Sequence, residues 1–229
     1  MTEEFKKAAA EKALEIVQDG MLLGLGSGST ARYFIEGVGR LVASGMTVRG
    51  VPTSRASAEL AAANGVPIVQ ELIGLIDIAV DGADEVDPAL NLIKGRGGAL
   101  FREKIVAAAS KRFIVIVDES KLVKELGVGE LPVEVLPFLW RTTAERLTAL
   151  GARLTVRGGE ENPCVTDNGN LILDLIVEGG IKDPAAFGDA LKKTIGVVEH
   201  GLFVGMTDTL ITAGPEGPRM VGRLSGRVA

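Results

Sequence analysis

Short apolar runs alternate with stretches of helical periodicity along the first half of the chain. Helical spacing covers residues 3–18 and recurs between the later apolar runs and over residues 99–110. The strand-like runs are MLLGLG at 21–26, MTVRGVP at 46–52, IDIAVDG at 76–82 and RFIVIVD at 112–118. Such strands alternating with helices are typical of a parallel sheet covered on both faces. We therefore expect an α/β fold, with Ser29 or Thr30 capping the helix after the first strand.

Beyond about residue 130 the pattern changes to a mixture of strands and helices. Asp183 and Pro184 are suited to open a helix, and Asn168 and Gly169 suit the tight primed turn of a hairpin. The predicted strands are PVEVLP, ARLTVR and VVEHGLFVG, the helices are FLWRTTAERLTALG and DPAAFGDALKKTIG, and the hairpin is VTDNGNLILDLIV. This mixture indicates a small α+β subdomain.

The last predicted strands return to the first sheet. Residues 208–223 contain two strand-like runs joined by a Gly/Pro turn. We therefore expect two domains. The larger α/β domain comprises 1–129 plus 204–229, and the small α+β subdomain comprises 130–203.

The composition is that of a globular protein with an excess of glycine. Hydrophobic residues make up 46% and charged residues 24%, and 30 of the 229 residues are glycine, about 13% against a usual level of roughly 7%. The one cysteine, Cys164, excludes an intramolecular disulfide and a cysteine cluster for zinc, and it favours a reducing compartment. The one histidine, His200, excludes sites that need two histidines. We expect both residues to be structural.

Charge and hydropathy argue against nucleic-acid and membrane partners. The formal net charge is −5, and the chain lacks the clustered Lys and Arg that bind a phosphate backbone. Its N-terminus mixes both charge signs, and no apolar run approaches the roughly 20 residues that span a bilayer. We therefore expect a cytoplasmic protein, in which an anionic ligand would need a locally positive pocket.

The first chemical motif, GLGSGST at residues 24–30, lies between a predicted strand and a helix. Glycines let the backbone approach a phosphate closely, and a helix N-terminus adds N–H donors. The motif lacks the Gly-Lys-Ser/Thr of a Walker A loop and the glycine spacing of a dinucleotide fingerprint. Thr53 and Ser54 also stand where an NAD site would have an acidic residue. A phosphate-bearing metabolite is favoured, with NAD and a purely structural turn as alternatives.

The second motif places four acidic residues within DGADEVD, at residues 81–87. It follows a buried-type strand, at the end where open α/β sheets bind their ligands. Three interpretations stay open on the residues alone. The loop is a solvated Asx turn, or it binds Mg²⁺ or Ca²⁺, or Asp81 and Asp84 contact substrate hydroxyls and move protons.

The third motif, KGRGGALFREK at residues 94–104, joins a cation, a glycine-rich turn and a helix start. Lys94 and the backbone amides of this turn suit the stabilisation of a developing oxyanion. Glu103 follows one helical turn later. In isolation, Glu103 is most simply interpreted as one member of an exposed helical charge cluster with Arg102 and Lys104.

The three motifs, in this order, resemble the ribose-5-phosphate isomerase family of the A type. The likeness extends over essentially the whole chain through DESKLV, LPVEVLP, VTDNGNLILD and GVVEHGLF. It implies a Rossmann-like parallel sheet with an inserted ferredoxin-like subdomain. It also implies interconversion of D-ribose 5-phosphate and D-ribulose 5-phosphate through an enediol, in the non-oxidative pentose phosphate pathway, without a metal or organic cofactor.

The resemblance also implies roles for individual residues. Glu103 matches the group that moves the proton between C2 and C1, and Lys94 matches the lysine that stabilises enediolate charge. Asp81 and Asp84 match the acidic pair that contacts the sugar hydroxyls and assists ring opening. Arg96 stands where some members carry glycine, so we expect its backbone rather than its side chain to line the site. The substrate-binding residues implied are Ser27, Gly28, Ser29, Thr30, Asp81, Gly82, Ala83, Asp84, Lys94, Gly95, Arg96, Gly97 and Lys121, with Lys6 as a further phosphate partner.

Two rival functions stay open at this point. A sugar-phosphate sensor on a related fold would bind its ligand without turnover. The feature that argues against a sensor is the presence together of Asp81, Asp84, Lys94 and Glu103. A related sugar-phosphate deaminase or lactonase would rely on a histidine, which the three motifs lack. The resemblance further suggests a homodimer or a homotetramer.

Overall fold

The computed structural model describes residues 2–69, 71 and 74–222. The helices are α1 (Thr2–Leu14), α2 (Ser29–Ala43), α3 (Arg55–Ala63), α4 (Leu100–Ala108), α5 (Trp140–Thr148) and α6 (Pro184–Lys193), with a short 3₁₀ helix at Glu119–Lys121. The strands are β1 (Leu22–Leu25), β2 (Arg49–Pro52), β3 (Ile78–Asp81), β4 (Glu85–Val86), β5 (Leu92–Ile93), β6 (Phe113–Asp118), β7 (Leu131–Val135), β8 (Arg153–Val156), β9 (Leu171–Ile176), β10 (Val197–His200), β11 (Leu202–Phe203), β12 (Thr209–Gly214) and β13 (Gly217–Gly222).

The chain divides into two compact units. The first unit comprises Met1–Ala83, Arg102–Lys121 and Met206–Ala229, and the second comprises Asp84–Phe101 and Leu122–Gly205. The small subdomain predicted at 130–203 lies within the second unit. The predicted domain boundaries themselves stay a prediction.

The first unit is built on a six-stranded sheet in the order β13-β12-β6-β3-β1-β2. All its neighbouring strands run parallel except the edge pair β12 and β13, which is antiparallel. The α/β fold expected from the apolar runs is therefore confirmed, and the strands within residues 208–222 join this sheet as predicted. Residue 223 of that predicted segment and residues 224–229 of the predicted domain lie outside the described residues.

Alternate strand residues face opposite sides of the sheet, and both sides are covered by helices. Leu23 and Leu25 of β1 belong to a buried cluster with side chains of α1 and α2. Gly24 between them faces the other side, where a Cβ atom would stand 2.6 Å from Val106 Cγ1 of α4. Gly24 thus lies within a strand, and its missing side chain leaves the space that α4 occupies.

The second unit contains a four-stranded antiparallel sheet in the order β10-β7-β9-β8. Its chain order β7-α5-β8-β9-α6-β10 is the βαββαβ arrangement of the ferredoxin-like fold. Leucine and valine side chains of β7 and β9 form the centre of its own buried cluster with α5 and α6. As predicted, Asp183 caps α6, accepting the Ala186 N–H at 2.9 Å, with Pro184 at the first helical position. A separate three-stranded sheet, β11-β5-β4, completes the unit.

Three local predictions were wrong. Neither Ser29 nor Thr30 caps α2, because the helix already begins at Ser29 and Gly28 is the N-cap. The turn of the predicted hairpin is not a primed turn, since Gly169 has φ +80° but Asn168 keeps a negative φ. Gly169 N–H instead donates to Thr166 O, and Val165 and Leu171 form a single bridge. Helix α1 ends at Leu14, short of the predicted residue 18.

Among the described residues, no helix has the length and apolar character needed to cross a membrane.

Candidate functional site

The loop between β1 and α2 is held by main-chain and side-chain hydrogen bonds within the first unit. Gly26 N–H donates to Val80 O at 3.0 Å, and Ser27 N–H donates to Asp81 Oδ1 at 3.0 Å. The Ser27 hydroxyl lies 2.8 Å from Thr53 Oγ1 and 2.7 Å from Ser54 Oγ. The side chain of Ser27 is therefore turned towards the end of β2.

The start of α2 offers amide donors for an anion. Gly28, the N-cap, has φ +95° and no side chain with which to cap the first turn. Gly28 and Ser29 are exposed, and Thr30 is half-buried. An uncapped helix N-terminus presents free N–H groups and the positive end of the helix dipole, which is a suitable site for a phosphate.

Asp81 ends β3 and is 2% exposed. Its Oδ1 accepts from Ser27 N–H and, at 2.7 Å, from Gly82 N–H. A side chain at residue 26 would overlap this carboxylate, so glycine there gives Asp81 its room. A Cβ at Gly82 would stand 3.8 Å from Thr30 Cβ, so the start of the second motif lies beside the first motif. Ala83, the residue after Gly82, is half-buried.

Glu103 and Lys121 come from two further elements of the same unit. Glu103 lies in the first turn of α4 and is 5% exposed, which contradicts the exposed charge cluster that its sequence neighbours allowed. Lys121 is half-buried at the end of the 3₁₀ helix that follows β6. Because β1, β3 and β6 run parallel, the residues after them share the carboxyl edge of the sheet, where open α/β sheets bind ligands.

The second unit holds Asp84 and the segment from Lys94 to Gly97. Asp84 Oδ2 accepts the Arg96 N–H at 3.0 Å. Lys94 is 2% exposed, its N–H donates to Gly201 O at 2.8 Å, and its Nζ lies 5.6 Å from the centre of the Phe203 ring. A buried ammonium over an aromatic face is stabilised by the ring's negative face.

Gly95 and Gly97 shape this segment. Gly95 has φ +96°, and a side chain there would overlap Leu100 Cβ. Gly98 N–H closes a turn onto Gly95 O at 2.9 Å, which leaves Gly97 exposed at its tip. The turn therefore requires glycine at residue 95 on both conformational and steric grounds.

Glu85 is a buried residue whose role the sequence did not reveal. It is 3% exposed, and its carboxylate accepts N–H groups from Gly127 and Gly129 at 2.7 Å and from Val128 at 3.2 Å. The Arg96 guanidinium completes the set at 2.5 Å, and Arg96 Nε donates to Glu130 O. The side chain of Arg96 is thus committed to Glu85. The expectation that its backbone lines a site stays a prediction.

Arg157 and Asp174 were also missed. Arg157 donates to main-chain carbonyls of the Lys94–Gly97 segment and is paired with Asp174. The only sequence signal for Glu85 was its place in a run of acids, and Arg157 and Asp174 had none. Thr53 and Ser54 stand in the sequence where an NAD site would have an acidic residue, and the structure shows them hydrogen-bonded to the Ser27 hydroxyl.

Lys6 lies on α1 and pairs with a neighbouring carboxylate. Its Nζ is 2.7 Å from Glu3 Oε1, and Tyr33 donates to Glu3 Oε2 at 2.7 Å. The hydrogen bonds from Lys6 and from Tyr33 hold the pKa of Glu3 below its usual value, and the same carboxylate raises the pKa of Tyr33. A phosphate contact of Lys6 stays a prediction.

His200 and Cys164 lie on the second unit. His200 is 8% exposed, and its Nδ1 accepts the Leu202 N–H at 3.3 Å. Cys164 is exposed and forms no disulfide within the chain. Within the described part of the chain, no group of three or more His, Cys, Asp and Glu side chains is arranged to hold a metal ion.

The chain is similar to one family throughout its length. The family model described as ribose 5-phosphate isomerase A (phosphoriboisomerase A) matches residues 49–217. Ribose-5-phosphate isomerase A of Agrobacterium fabrum is 50% identical over 226 residues, 95% of this chain and 97% of its own. Probable ribose-5-phosphate isomerase 2 of Arabidopsis thaliana is 47% identical over 228 residues, 95% of this chain and 86% of its own.

Solved structures give the same result for the fold. Ribose 5-phosphate isomerase from Plasmodium falciparum superimposes with a TM-score of 0.93 at 39% identity, covering 97% of this chain and 100% of that one. A D-ribose-5-phosphate isomerase in complex with phospho-erythronic acid superimposes equally well, with a TM-score of 0.93 at 42% identity and the same coverage.

Proposed function

The chain belongs to the ribose 5-phosphate isomerase A family, and from this premise we propose that it interconverts D-ribose 5-phosphate and D-ribulose 5-phosphate through an enediol intermediate. The observation that carries the proposal is identity of about half of all residues, over nearly the full length of both chains, with proteins named as this isomerase. A sensor that binds without turnover is not favoured, because these relatives are named as enzymes.

The reaction makes three demands on a protein. The sugar ring must open, a base must take the proton from C2 and return it to C1, and the negative charge on the enediolate oxygens must be stabilised. A positioned base typically contributes about 10²- to 10⁴-fold, and each oxyanion donor roughly 10²- to 10³-fold.

Glu103 is the proposed base. It is buried in the first turn of α4, a helix that packs against β1 through Val106 and Gly24. Asp81 is proposed to contact the sugar hydroxyls during ring opening, a role that suits a carboxylate oriented by two amide N–H groups. Lys121 is proposed as a further substrate contact.

The phosphate is assigned to the start of α2. Gly28, Ser29 and Thr30 offer amide and hydroxyl donors there. Ser27 is proposed to line the same site, with its N–H held by Asp81 and its hydroxyl by Thr53 and Ser54. The preference of helix N-termini for anions supports this assignment. Gly82 and Ala83 complete the proposed contacts of the first unit.

The enediolate charge is assigned to Lys94 and the amides of Gly95 and Gly97. Asp84 is proposed as the second acidic partner, and the backbone of Arg96, whose N–H donates to Asp84, is proposed to line the site. The low exposure of Lys94 supports this role, since a charge acts more strongly where water is excluded. One solved relative is described in complex with phospho-erythronic acid, whose carboxylate bears the kind of charge that an enediolate develops.

The role of Glu103 is tested by Glu103→Gln. The amide retains the shape of the side chain but cannot accept the C2 proton, so kcat should fall by about 10²- to 10⁴-fold while KM changes little. Glu145→Gln, on an exposed position of α5, is the control and should leave kcat unchanged. Wild-type turnover in Glu103→Gln would remove Glu103 from the mechanism.

The function as a whole is tested by a direct assay. Purified protein is mixed with ribose 5-phosphate, and ribulose 5-phosphate formation is followed. Turnover is the expected result. Tight binding of ribose 5-phosphate without product would instead indicate the sensor.

We also propose that the protein acts in the cytoplasm as a homodimer. Large apolar side chains lie exposed near α5 on the second unit, including Phe138 at 81%, Leu139 at 65% and Ile195 at 77% exposure, and such residues mark surfaces that associate. Light scattering after size exclusion should give twice the chain mass. A monomer mass contradicts the dimer, and four times the chain mass indicates the tetramer.

A further inference from the structure

One arginine of the second unit holds the carbonyl side of the Lys94–Gly97 segment. Arg157, directly after β8, points its Nη1 at Arg96 O, 2.7 Å away, and at Gly95 O, 3.4 Å away. Its own backbone is fixed, because Arg157 N–H donates to Ile172 O and Arg157 O accepts from Cys164 N–H. The contact therefore joins the segment to the edge of the four-stranded sheet.

Asp174 holds the other edge of the Arg157 guanidinium. Arg157 Nε donates to Asp174 Oδ2 at 2.8 Å, and Nη2 donates to Asp174 Oδ1. Asp174 lies within β9 and is 5% exposed, with neighbours on both β7 and β8. A bidentate pair of this kind fixes the plane of the guanidinium, and hence the direction of Nη1.

Planarity of the peptide bond carries this constraint to the opposite side of the segment. In a trans peptide the C=O and the next residue's N–H point in opposite directions. With the carbonyls of Gly95 and Arg96 held by Arg157, the N–H groups of Arg96 and Gly97 face away from it. The first of these N–H groups donates to Asp84 Oδ2, as this orientation requires.

We propose that Arg157, oriented by Asp174, is a positioning residue for the isomerisation, which turns the Gly97 amide of the Lys94–Gly97 segment towards the oxyanion of the substrate, while the Arg96 amide stays on Asp84. The inference rests on the proposed function. In the part of the chain that the structure describes, the hydrogen bonds from Arg157 to the segment end on its carbonyl oxygens, so Arg157 acts through the peptide groups.

The charge of Arg157 adds to the effect of its geometry. A cation bonded to a carbonyl oxygen polarises the peptide group, and polarised groups in a hydrogen-bonded chain donate more strongly. The amides on the far side therefore become better donors to an anion. Lysine at residue 157 would retain the charge but lose the bidentate pairing that directs it.

The test compares Arg157→Ala, Arg157→Lys and Asp174→Asn with the matched control Arg153→Ala. Arg153 lies on β8, and its ion pair with Glu178 is exposed on both sides, at 71% and 75%. Each protein is assayed for kcat and KM with ribose 5-phosphate, for the Kd of phospho-erythronic acid by calorimetry, and for Tm.

In Arg157→Ala we expect kcat to fall by about 10- to 100-fold with KM nearly unchanged, because small displacements of positioning groups have effects of this size. The Kd of phospho-erythronic acid should rise by a similar factor, since its carboxylate needs the same amide. Added guanidinium ion should restore part of kcat. Arg157→Lys and Asp174→Asn should lie between Arg157→Ala and wild type, and Arg153→Ala should match wild type.

The contrary results are equally definite. Wild-type kcat in Arg157→Ala overturns the proposal, and so does a loss of kcat that follows the unfolded fraction and leaves the Kd of phospho-erythronic acid unchanged. If Arg157→Ala does not fold, wild-type kcat in both Arg157→Lys and Asp174→Asn overturns it. A wild-type protein that does not isomerise ribose 5-phosphate refutes the proposed function and this inference together, whereas an active wild type with unaffected variants refutes only the inference.

Discussion

At the scale of the residue, the placement of Asp81 depends on the missing side chain of Gly26. A methyl group there would overlap Asp81 Oδ1 and stand 2.7 Å from Asp81 Cα, so the carboxylate would have to move. Gly26→Ala should therefore lower kcat/KM by about 10²-fold, as expected for a displaced reacting group. Steady-state kinetics provide the measurement.

A matched control for Gly26→Ala is Gly39→Ala on α2. Its added methyl would stand 2.7 Å from the main-chain Asn64 O, much as a methyl at residue 26 would stand 2.7 Å from Asp81 Cα, so both changes press on backbone of the first unit. We expect Gly39→Ala to lower Tm but not kcat/KM. Equal losses of kcat/KM in the two variants would show that stability, not the position of Asp81, is responsible.

Replacement of Glu85, a buried carboxylate that accepts several hydrogen bonds, should lower the stability of the second unit. Glutamine would present an NH₂ group to at least one of the donors from Gly127, Val128, Gly129 and Arg96. We expect Glu85→Gln to lower the free energy of unfolding by roughly 2–3 kcal/mol, the usual cost of an unsatisfied buried group. Urea denaturation measures it, with the exposed Glu130→Gln as control. A change equal to that of Glu130→Gln would contradict this account.

The sequence indicated candidate site residues but not the residues that hold them in place. The motifs predicted that Asp81 follows a buried strand, and it ends β3. They could not reveal the partners of Glu85, because the amides that it binds lie 42 to 44 residues further along the chain. Arg157 and Arg96 are 61 residues apart. Contacts at such separations leave no periodic signal.

At the scale of the element, α4 owes its position to a glycine in a strand. A Cβ at Gly24 would stand 2.6 Å from Val106 Cγ1 and 2.7 Å from Ala79 Cβ. Gly24→Ala should push α4 outwards and with it Glu103, one turn earlier on that helix, lowering both kcat and Tm.

The double variant Gly24→Ala/Val106→Ala separates this effect from a general loss of stability. Removing Val106 Cγ1 makes room for the new methyl, so the double variant should recover part of the kcat lost in Gly24→Ala, a coupling typical of residues in contact. Strictly additive losses in kcat would contradict the role of the α4 contact. Val106→Ala alone serves as the reference.

Element types were predicted from the sequence more reliably than element ends. Uninterrupted apolar runs predicted β1, β3 and β6, and the Asp183-Pro184 pair predicted the start of α6. The cap of α2 and the turn at Asn168 were predicted wrongly. At the start of α2 the N-cap is Gly28, one residue before the two expected. In the turn, the Gly169 N–H donates to Thr166 O, so the central residues are one position earlier than expected.

At the scale of the whole molecule, Asp77 connects three strands of the first unit and makes their packing sensitive to acid. Its Oδ2 accepts the Leu22 N–H at the start of β1, and its Oδ1 accepts from Lys111 Nζ, just before β6. The hydrogen bonds from Lys111 and from Leu22 hold the pKa of the Asp77 carboxyl below its usual value.

A lowered pKa in the folded state has a defined consequence for stability. The ionised carboxylate stabilises the fold at pH values above its pKa in the unfolded chain, about 4, and this stabilisation is lost as pH falls through the lower folded value. The difference in unfolding free energy between wild type and Asp77→Asn should therefore be largest near neutral pH and shrink below about pH 4. Urea titrations at several pH values measure it. A difference that does not vary with pH would contradict this account.

The strand order shows the limit of local patterns at this scale. The apolar runs indicated a parallel sheet, and resemblance to a known family gave its class. The order β13-β12-β6-β3-β1-β2 places β12 next to β6, although the whole four-stranded sheet of the second unit lies between them in the chain. No spacing within either strand encodes that choice of neighbour.

The pairing of β12 with β6 also imposes an order on biosynthesis. Strands β7 to β10 follow one another in the nascent chain, so the ferredoxin-like sheet has all its strands once His200 has left the ribosome. β6 is synthesised earlier, but its partner β12 follows only after the second sheet. Until β12 is made, the edge of β6 that will pair with it carries unpaired N–H and C=O groups. A chaperone that shields open strand edges during translation would find its target on β6.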